Sequence, residues 1–376
     1  MFTGDLSRYC MVLYRKYRPK NFAEVVGQEH VVETLQGAIQ TGRLAHAYLF
    51  TGPRGTGKTS LARLLAKVVN CDRSYPHARS NLADACAVCS SCKEVEEGRA
   101  MDLIEIDAAS NRGIDDIRAL REGTRFSSMN AGKYKVYIID ECHQLSKEAS
   151  NALLKTLEEP PAKTLFILAT TEPHKVLPTI VSRVQKFDFK KLNTDQIISK
   201  LQRIALAEKI EIEKDLLRLI ARQAEGSLRD AESNFAKLIA FKGQTIDEEA
   251  VKEVLGIIPL NFYYDFFKLI QAKKRPEAIT LISQIYESGL DLDNFIKGLL
   301  DYSRRVLVAR ANPADINGFG ADLGEDSSQK ISGLAKEIDG KGILKLISAL
   351  IRAREDLKIS PIPQLPLEIA VSELTE

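Results

Sequence analysis

The chain has 376 residues, of which 44% are hydrophobic and 28% charged, and its formal net charge is +2 at pH 7. This length exceeds one ordinary core, so two or three domains are expected, and the composition is that of a soluble globular protein. Apolar runs such as Leu165–Ala169 are far too short to cross a bilayer, while the small net charge neither supports nor excludes nucleic-acid binding. Because no secretory signal is visible at the N-terminus, we expect a cytoplasmic protein.

Short apolar runs alternate with helical patterns through the first half of the chain. The runs predicted as strands are Ala47–Phe50, Leu103–Asp107, Val136–Asp140, Leu165–Ala169 and Lys186–Phe189. Helical patterns lie between them, for example at Gln28–Thr41, Ile114–Arg125 and Lys147–Glu158. This alternation predicts an α/β domain with a five-stranded parallel sheet over residues 1–190.

Beyond Leu192 the strand pattern stops, and amphipathic helical patterns follow. Thr194–Lys209, Lys214–Ala224 and Leu228–Lys242 predict a three-helix domain over residues 191–256. A boundary near Pro259 then leads to an all-helical domain over residues 257–376. The patterns predicted there are helices at Phe262–Lys273, Pro276–Ser288, Leu292–Ala311, Ser328–Ile338, Gly342–Ile359 and Pro366–Leu374, and a loop at Asn312–Ser327.

The first predicted strand runs into a glycine-rich segment that continues as a helical pattern from Ser60. The segment reads Gly52, Pro53, Arg54, Gly55, Thr56, Gly57, Lys58, Thr59. This is the phosphate-binding loop motif in its required context of strand and helix. Its backbone N–H groups and the start of the helix can bind phosphate oxygens. Lys58 is expected to reach the β- and γ-phosphates and the Thr59 hydroxyl to ligate Mg²⁺, so the motif predicts nucleoside triphosphate binding rather than a chance turn.

Two adjacent acids, Asp140 and Glu141, end the predicted strand Val136–Asp140. Beside a phosphate-binding loop, the first is the expected Mg²⁺ partner and the second can act as general base toward water, which favours hydrolysis. The alternative is an ordinary strand that ends in solvated acids. At the end of the next strand, a hydroxyl of Thr170 or Thr171 could orient the water or contact the γ-phosphate, or only cap the strand end.

Two arginines, Arg183 and Arg229, are candidate phosphate-binding residues. A guanidinium carries a permanent charge and a rigid fork of donors that suits phosphate. By composition alone each is more simply explained as a surface arginine.

Four of the six cysteines lie in one short segment, as Cys71, Cys86, Cys89 and Cys92. Disulfides are unexpected in a cytosolic chain, and four thiolates are the usual ligands of a structural zinc ion. The alternatives are thiols without a metal and a disulfide or redox site. Because four cysteines close the coordination shell, the predicted role of Zn²⁺ in the module at residues 71–92 is structural.

In their order along the chain, these motifs resemble the gamma/tau subunits of the bacterial DNA polymerase III clamp loader, a family of AAA+ ATPases. The strings that carry the resemblance are Tyr14–Phe22, Val25–His30, His46–Phe50, the phosphate-binding loop, the four cysteines, Asp102–Ser110, Ile138–Glu141, Leu153–Pro161 and Thr170–Pro173. The resemblance covers most of the first two predicted domains and is weaker by motif in the third.

The resemblance implies an AAA+ P-loop domain, a lid domain and a helical collar for the three predicted domains. It implies that Arg18 and Val26 lie on the adenine side of the nucleotide pocket and that Thr171, or its neighbour, is sensor 1. Arg229 would be sensor 2, and Arg183 would be an arginine finger that reaches the ATP site of a neighbouring subunit. The cofactors it implies are ATP, Mg²⁺ and Zn²⁺.

The resemblance also implies partners and a task. An assembly of five subunits, with further copies of this chain and homologous subunits, would bind a sliding clamp and primer–template DNA and load the clamp at the expense of ATP. Ser110–Arg112 would face the DNA, no membrane is involved, and the chain is expected to have gamma length or to be a truncated tau. It would hold no polymerase site of its own.

Three other functions stay open from the sequence. The first is another AAA+ machine on DNA, such as a branch-migration helicase or a replication initiator. The second is a scaffold subunit without catalysis, and the third is a P-loop kinase for a small molecule.

Overall fold

The computed structural model describes residues 13–73, 83–110, 113, 117, 120, 122–124, 128, 133–312 and 325–376. Contacts divide the chain into two compact units, residues 1–250 and 251–376, and each is described by itself. Most of the predicted Ile114–Arg125 helix, most of the Asn312–Ser327 loop and the pair Asn111–Arg112 lie outside the described residues.

A five-stranded parallel sheet organises the first unit. Its strands are β1 (Ala47–Thr51), β2 (Leu103–Asp107), β3 (Lys135–Asp140), β4 (Thr164–Thr170) and β5 (Gln185–Asp188). They lie in the order β2-β3-β4-β1-β5, and each neighbouring pair is parallel. The predicted α/β fold class and its strands are confirmed, with strand ends that differ by at most one residue.

Helices cover both faces of this sheet, because its central strands are apolar on both sides. The described helices are α1 (Leu13–Lys16), α2 (Glu29–Gln40), α3 (Lys58–Val69), α4 (Ser90–Glu97), α5 (Lys147–Glu158) and α6 (Pro178–Val181). The helices α2 and α3 pack in one hydrophobic core, and α5 and α6 pack in the other. Of these, α1, α4 and α6 were not predicted, and the cysteines around α4 were interpreted only as a metal-binding segment.

Three helices and one short strand pair complete the first unit. The helices are α7 (Thr194–Glu208), α8 (Lys214–Gln223) and α9 (Leu228–Lys242), close to the predicted bounds. The expectation that strands stop at Leu192 is wrong, since β6 (Glu211–Ile212) pairs in parallel with β7 (Thr245–Ile246). Strands of two residues are too short to produce a periodic pattern in a sequence.

Helices alone form the described part of the second unit. After α10 (Glu248–Leu255), which crosses the division between the units, they are α11 (Leu260–Gln271), α12 (Arg275–Glu287), α13 (Leu292–Ala311), α14 (Glu325–Glu337), α15 (Gly340–Leu357) and α16 (Leu365–Thr375). Aromatic rings of Tyr263, Phe266, Phe267, Phe295 and Tyr302 pack together in its core. None of the helices in the described parts of the chain combines the length and apolar character that crossing a membrane requires.

Candidate nucleotide site

The phosphate-binding loop joins β1 to α3, and two of its glycines could not be replaced without a clash. At Gly52, φ is 141° and an added Cβ would lie 2.4 Å from the Phe189 carbonyl oxygen. At Gly55, φ is 75° and an added Cβ would lie 1.9 Å from the Ser227 Oγ. Glycine is therefore required at both positions, both for the left-handed backbone and for the close approach of neighbouring chain.

The Lys58 side chain folds back over this loop. Its Nζ donates hydrogen bonds to the carbonyl oxygens of Gly52 and Pro53, each at 2.8 Å. Burial lowers the pKa of Lys58, while the carboxylates of Glu141 and Asp140 oppose that shift. The ammonium group is thus held next to the loop that would bind phosphates.

Two oxygen donors lie side by side at the start of α3 and the end of β3. The Thr59 Oγ1 donates to Asp140 Oδ2 at 2.7 Å. A hydroxyl and a carboxylate at this spacing are ligands that Mg²⁺ prefers. The predicted pair is therefore brought together, and its chemistry fits the expected ion.

Glu141 follows β3 with a backbone φ of 48°, in the left-handed region that glycine favours. Its Oε2 accepts hydrogen bonds from the Thr171 hydroxyl at 3.1 Å and from the Thr171 backbone N–H at 3.3 Å. The strained turn and this neighbour fix the direction of the carboxylate. Of the two threonines at the end of β4, it is Thr171 that contacts Glu141.

Thr170 has a different partner, the buried His143. The Thr170 Oγ1 lies 2.9 Å from His143 Nδ1, and the opposite ring nitrogen lies 3.0 Å from a carboxylate oxygen of Glu172. The Nδ1 atom is also 3.4 Å from Glu141 Oε2. The histidine therefore packs behind the Glu141–Thr171 pair and supports it.

The lid helix α9 begins directly on the phosphate-binding loop. The Leu228 backbone N–H donates to the Gly55 carbonyl oxygen at 3.1 Å, and Ser227 caps the helix by accepting from the Asp230 N–H. One residue on, the Arg229 guanidinium lies over the Tyr14 ring, 4.7 Å from its centroid. The helix thereby brings a cation to the loop from another part of the fold.

Most of the predicted site residues line one cavity of about 850 Å³, whose described lining does not include Gly52, Pro53 or Thr171. It is lined by the predicted residues Arg18, Val26, Arg54, Gly55, Thr56, Gly57, Lys58, Thr59, Ser60, Asp140, Glu141 and Arg229. The volume lies within the range of small-molecule sites.

Apolar and buried charged groups line the part of the cavity formed by the N-terminal segment and the lid. Val25, Val26 and Leu192 supply apolar surface there. Burial lowers the pKa of Arg18, and its buried Nε has no hydrogen-bond partner within the described residues. A nucleobase, which has apolar faces and polar edges, would fit such a lining.

The four cysteines lie together, as the spacing predicts. Their Sγ atoms are all within 4.8 Å of one another, and those of Cys86 and Cys92 are 3.9 Å apart. This compares with ~3.8 Å between ligands of a tetrahedral ion with Zn–S bonds of ~2.3 Å, and it is too long for a disulfide. Hydrogen bonding to the Cys71 thiol and burial raise the pKa of Cys92, so four thiolates need a cation to coexist here. The donor set therefore fits zinc.

Family models of DNA polymerase III subunits match nearly the whole chain. They are the delta subunit over residues 27–193, the clamp loader subunit ATPase lid domain over residues 196–242, and domain III of subunits gamma and tau over residues 246–376. The chain is 39% identical over 364 residues to DNA polymerase III subunit tau of Bacillus subtilis, and 38% identical over 360 residues to that of Escherichia coli. The chain belongs to the DNA polymerase III gamma/tau family.

This gamma/tau-family chain aligns over 97% and 96% of its length with those two relatives, and it spans 63% and 54% of theirs. A solved structure of the Thermotoga maritima RuvB Holliday junction branch migration motor aligns with 68% of this chain and 79% of that one, at 21% identity and a TM-score of 0.46.

Arg183 does not line the cavity. One of its terminal nitrogens lies 2.7 Å from a Glu158 carboxylate oxygen, and the other donates to the Thr179 carbonyl oxygen at 2.8 Å. In this gamma/tau-family chain its guanidinium is therefore held away from the phosphate-binding loop of the same chain, and its expected action on a neighbouring subunit stays a prediction.

Sequence reasoning missed a buried pair on the lid side of the cavity, Lys200 on α7 and Glu232 on α9. Burial raises the pKa of Glu232 to about 7, against the opposing attraction of Lys200 and Arg18. Burial likewise lowers the pKa of Lys200, whose Nζ donates to the Tyr17 carbonyl oxygen at 2.9 Å. Both lie on the apolar faces of their helices, and a charged residue on an apolar face was the signal that could have found them.

Proposed function

We propose that the chain is an ATPase motor subunit of the DNA polymerase III clamp loader, which couples ATP binding and hydrolysis to loading a sliding clamp onto primer–template DNA. The observation that carries the proposal is one cavity that combines Lys58, the Thr59–Asp140 oxygen pair, Glu141 with its Thr171 partner, and Arg229 of the lid. The names of the family models and relatives supply the biological context.

Each side chain has a task in ATP hydrolysis. Lys58 neutralises charge on the β- and γ-phosphates, and Thr59 and Asp140 would hold Mg²⁺, which supplies further neutralisation. Glu141 orients the attacking water and accepts its proton, while Thr171 fixes the Glu141 carboxylate. Arg229 contacts the γ-phosphate and so links it to the lid. The first turn of α9, on which Arg229 lies, already contacts Gly55.

Assembly supplies the remaining cation. We propose that Arg183 leaves Glu158 and acts as an arginine finger on the ATP of an adjacent subunit, in a cytoplasmic assembly of five that includes further copies and homologous subunits. A finger supplied in this way makes hydrolysis depend on assembly. The collar for that assembly is the helical domain proposed at residues 257–376, joined through the lid domain at 191–256 to the AAA+ domain at 1–190.

Zinc is proposed as a structural ion at Cys71, Cys86, Cys89 and Cys92. Backbone N–H groups of Cys89 and Cys92 already donate to the sulfurs of Cys86 and Cys89, at 3.4 and 3.5 Å. Metal analysis of the purified chain tests this directly, with one zinc per chain expected and its loss expected in Cys92→Ser.

The decisive test measures ATP turnover by the chain alone and with partner subunits, clamp and primed DNA. Turnover is expected to rise in the full mixture. Glu141→Gln should lower it by about 10²- to 10⁴-fold, as expected for loss of a general base, while ATP still binds. The exposed Glu159→Gln serves as the matched control.

Other outcomes would contradict the proposal. Turnover unchanged by Glu141→Gln would indicate a scaffold, and phosphate transfer to a small acceptor without DNA dependence would indicate a kinase. A closed hexamer that translocates on DNA would indicate another AAA+ machine.

The finger is tested separately by Arg183→Ala. We expect about 10³-fold slower turnover in the assembly and no change in ATP binding by the lone chain. The exposed Arg43→Ala is the control. A lone chain that already turns over at the full rate would contradict a finger supplied by a neighbour.

A further inference from the structure

The cysteine module, defined here as Cys71 with residues 83–97, adjoins the N-terminal segment Pro19–Val26. That segment ends in Val25 and Val26, which line the nucleotide cavity. Since the charged groups of the phosphate-binding loop, β3 and α9 are suited to the phosphates, these apolar side chains are suited to the nucleoside. The position of the segment therefore matters for how the nucleoside is held.

Asp84 joins the module to the segment. Its two carboxylate oxygens accept the Phe22 backbone N–H at 2.9 and 3.1 Å, and one of them also accepts the Ala85 N–H at 2.7 Å. The carboxylate thus ties the N-terminal segment to the chain that leads into Cys86. Hydrogen bonds from backbone N–H groups to a carboxylate are among the stronger ones in proteins.

The tie at Phe22 reaches the cavity through one tight turn. Phe22 begins the 3₁₀ turn Phe22–Glu24, and its carbonyl oxygen accepts the Val25 N–H at 3.1 Å. The Phe22 ring is buried in the same hydrophobic core as Ala83. Any shift of the Phe22 backbone is therefore passed on to Val25 and Val26.

A second link holds the beginning of the same segment. Glu96 of α4 lies 2.8 Å from the Lys20 Nζ, and its other oxygen lies 3.5 Å from the buried Lys67 Nζ. The Lys67 Nζ also donates to the Lys20 carbonyl oxygen at 3.3 Å. The module therefore contacts the segment at two points, two residues apart.

We propose that Asp84 is a positioning residue for the nucleoside part of ATP, through which the cysteine module sets the place of the Val25–Val26 wall. The inference rests on the proposed nucleotide site. It adds that nucleoside binding depends on the cysteine module, whereas binding of the phosphates to their loop does not. It follows that loss of the Asp84 tie weakens binding of a nucleotide but leaves binding of a bare triphosphate chain unchanged.

The test compares two ligands, ATP and inorganic tripolyphosphate, on the full chain, with tripolyphosphate measured by competition. In Asp84→Ala we expect an ATP Kd about 10-fold higher, the effect of losing one hydrogen bond to a charged group, and an unchanged tripolyphosphate constant. Asp84→Asn should fall between, because its amide oxygen can still accept one N–H. Glu97→Ala removes an exposed carboxylate of α4 in the same module and should change neither constant.

Zinc content and thermal unfolding are measured on the same samples. An ATP Kd that stays within about twofold of the unmodified chain, with zinc retained, would overturn the proposal, and so would equal weakening of both ligands. If Asp84→Ala loses zinc or fails to fold, Asp84→Asn decides by the same criteria. Failure of the unmodified chain to bind ATP would instead refute the nucleotide site itself.

Discussion

The two ends of the cavity are built in different ways. At the phosphate end, Lys58, Thr59, Asp140 and Glu141 lie at the carboxyl ends of two parallel strands, β1 and β3, that flank β4, so the sheet order alone brings them together. At the nucleoside end, the lining is held by contacts between distant segments, such as Phe22 with Asp84, 62 residues apart. Phosphate binding therefore depends on one motif and one sheet. Nucleoside binding depends instead on how the N-terminal segment, the cysteine module and the lid pack together.

The largest effect is expected from Lys58→Ala, which removes the cation from the phosphate end. Its Nζ is held at the loop by two carbonyl oxygens, at 2.8 Å each. We expect ATP binding weaker by about 100-fold, as for loss of a charge-assisted contact in a buried site, and loss of measurable turnover. The exposed Lys93→Ala is the control. Tight ATP binding by Lys58→Ala would mean that the phosphates bind elsewhere.

A smaller effect at the same end is expected from Thr171→Val, which removes the hydroxyl bond to Glu141. Hydrolysis should slow by about 10-fold, the effect of one hydrogen bond to a charged group, with the ATP Kd unchanged. Thr171→Ser keeps the hydroxyl and should keep the rate. Equal rates in the Val and Ser variants would show that the backbone N–H of Thr171 is sufficient to hold the carboxylate.

Sequence alone predicted the phosphate end well and the nucleoside end poorly, for physical reasons. The strand–loop–helix motif fixes where Lys58 and Thr59 lie, and the order of the parallel strands brings Asp140 close to them. The sequence did not decide whether Thr170 or Thr171 is the hydroxyl at the site. Adjacent strand residues point to opposite faces, and only the structure gives their partners. Asp84 and Glu232 were not predicted, since their contacts join segments far apart in the chain.

The contact of the lid with the phosphates is tested more gently by Tyr14→Leu, which removes the ring under Arg229. A cation over an aromatic ring gains about 0.5–1 kcal/mol at partly exposed sites, so the ATP Kd should rise by about 2–5-fold. Tyr14→Phe keeps the ring but loses the hydroxyl that hydrogen-bonds to Arg229, and it should bind ATP more tightly than Tyr14→Leu. An ATP Kd that is the same in the Leu and Phe variants would show that Arg229 needs no support from this ring.

The smallest effect on the nucleotide site is expected from Glu232→Gln. This variant should instead change how the free energy of unfolding depends on pH. Burial raises the pKa of Glu232 to about 7, while the ordinary value is 4.5. Between these values the folded chain holds a proton that the unfolded chain has released. The free energy of unfolding therefore falls as pH rises through this window, by roughly 3 kcal/mol.

Glutamine cannot ionise, so in Glu232→Gln this part of the pH dependence should disappear. The measurement is the urea midpoint of the first unit at pH 5 and pH 8, with the exposed Glu213→Gln of the lid as control. The same pH dependence in Glu232→Gln and in the unmodified chain would mean that the Glu232 carboxylate is already ionised beside Lys200, and that the nucleoside end holds a charge pair rather than a neutral acid.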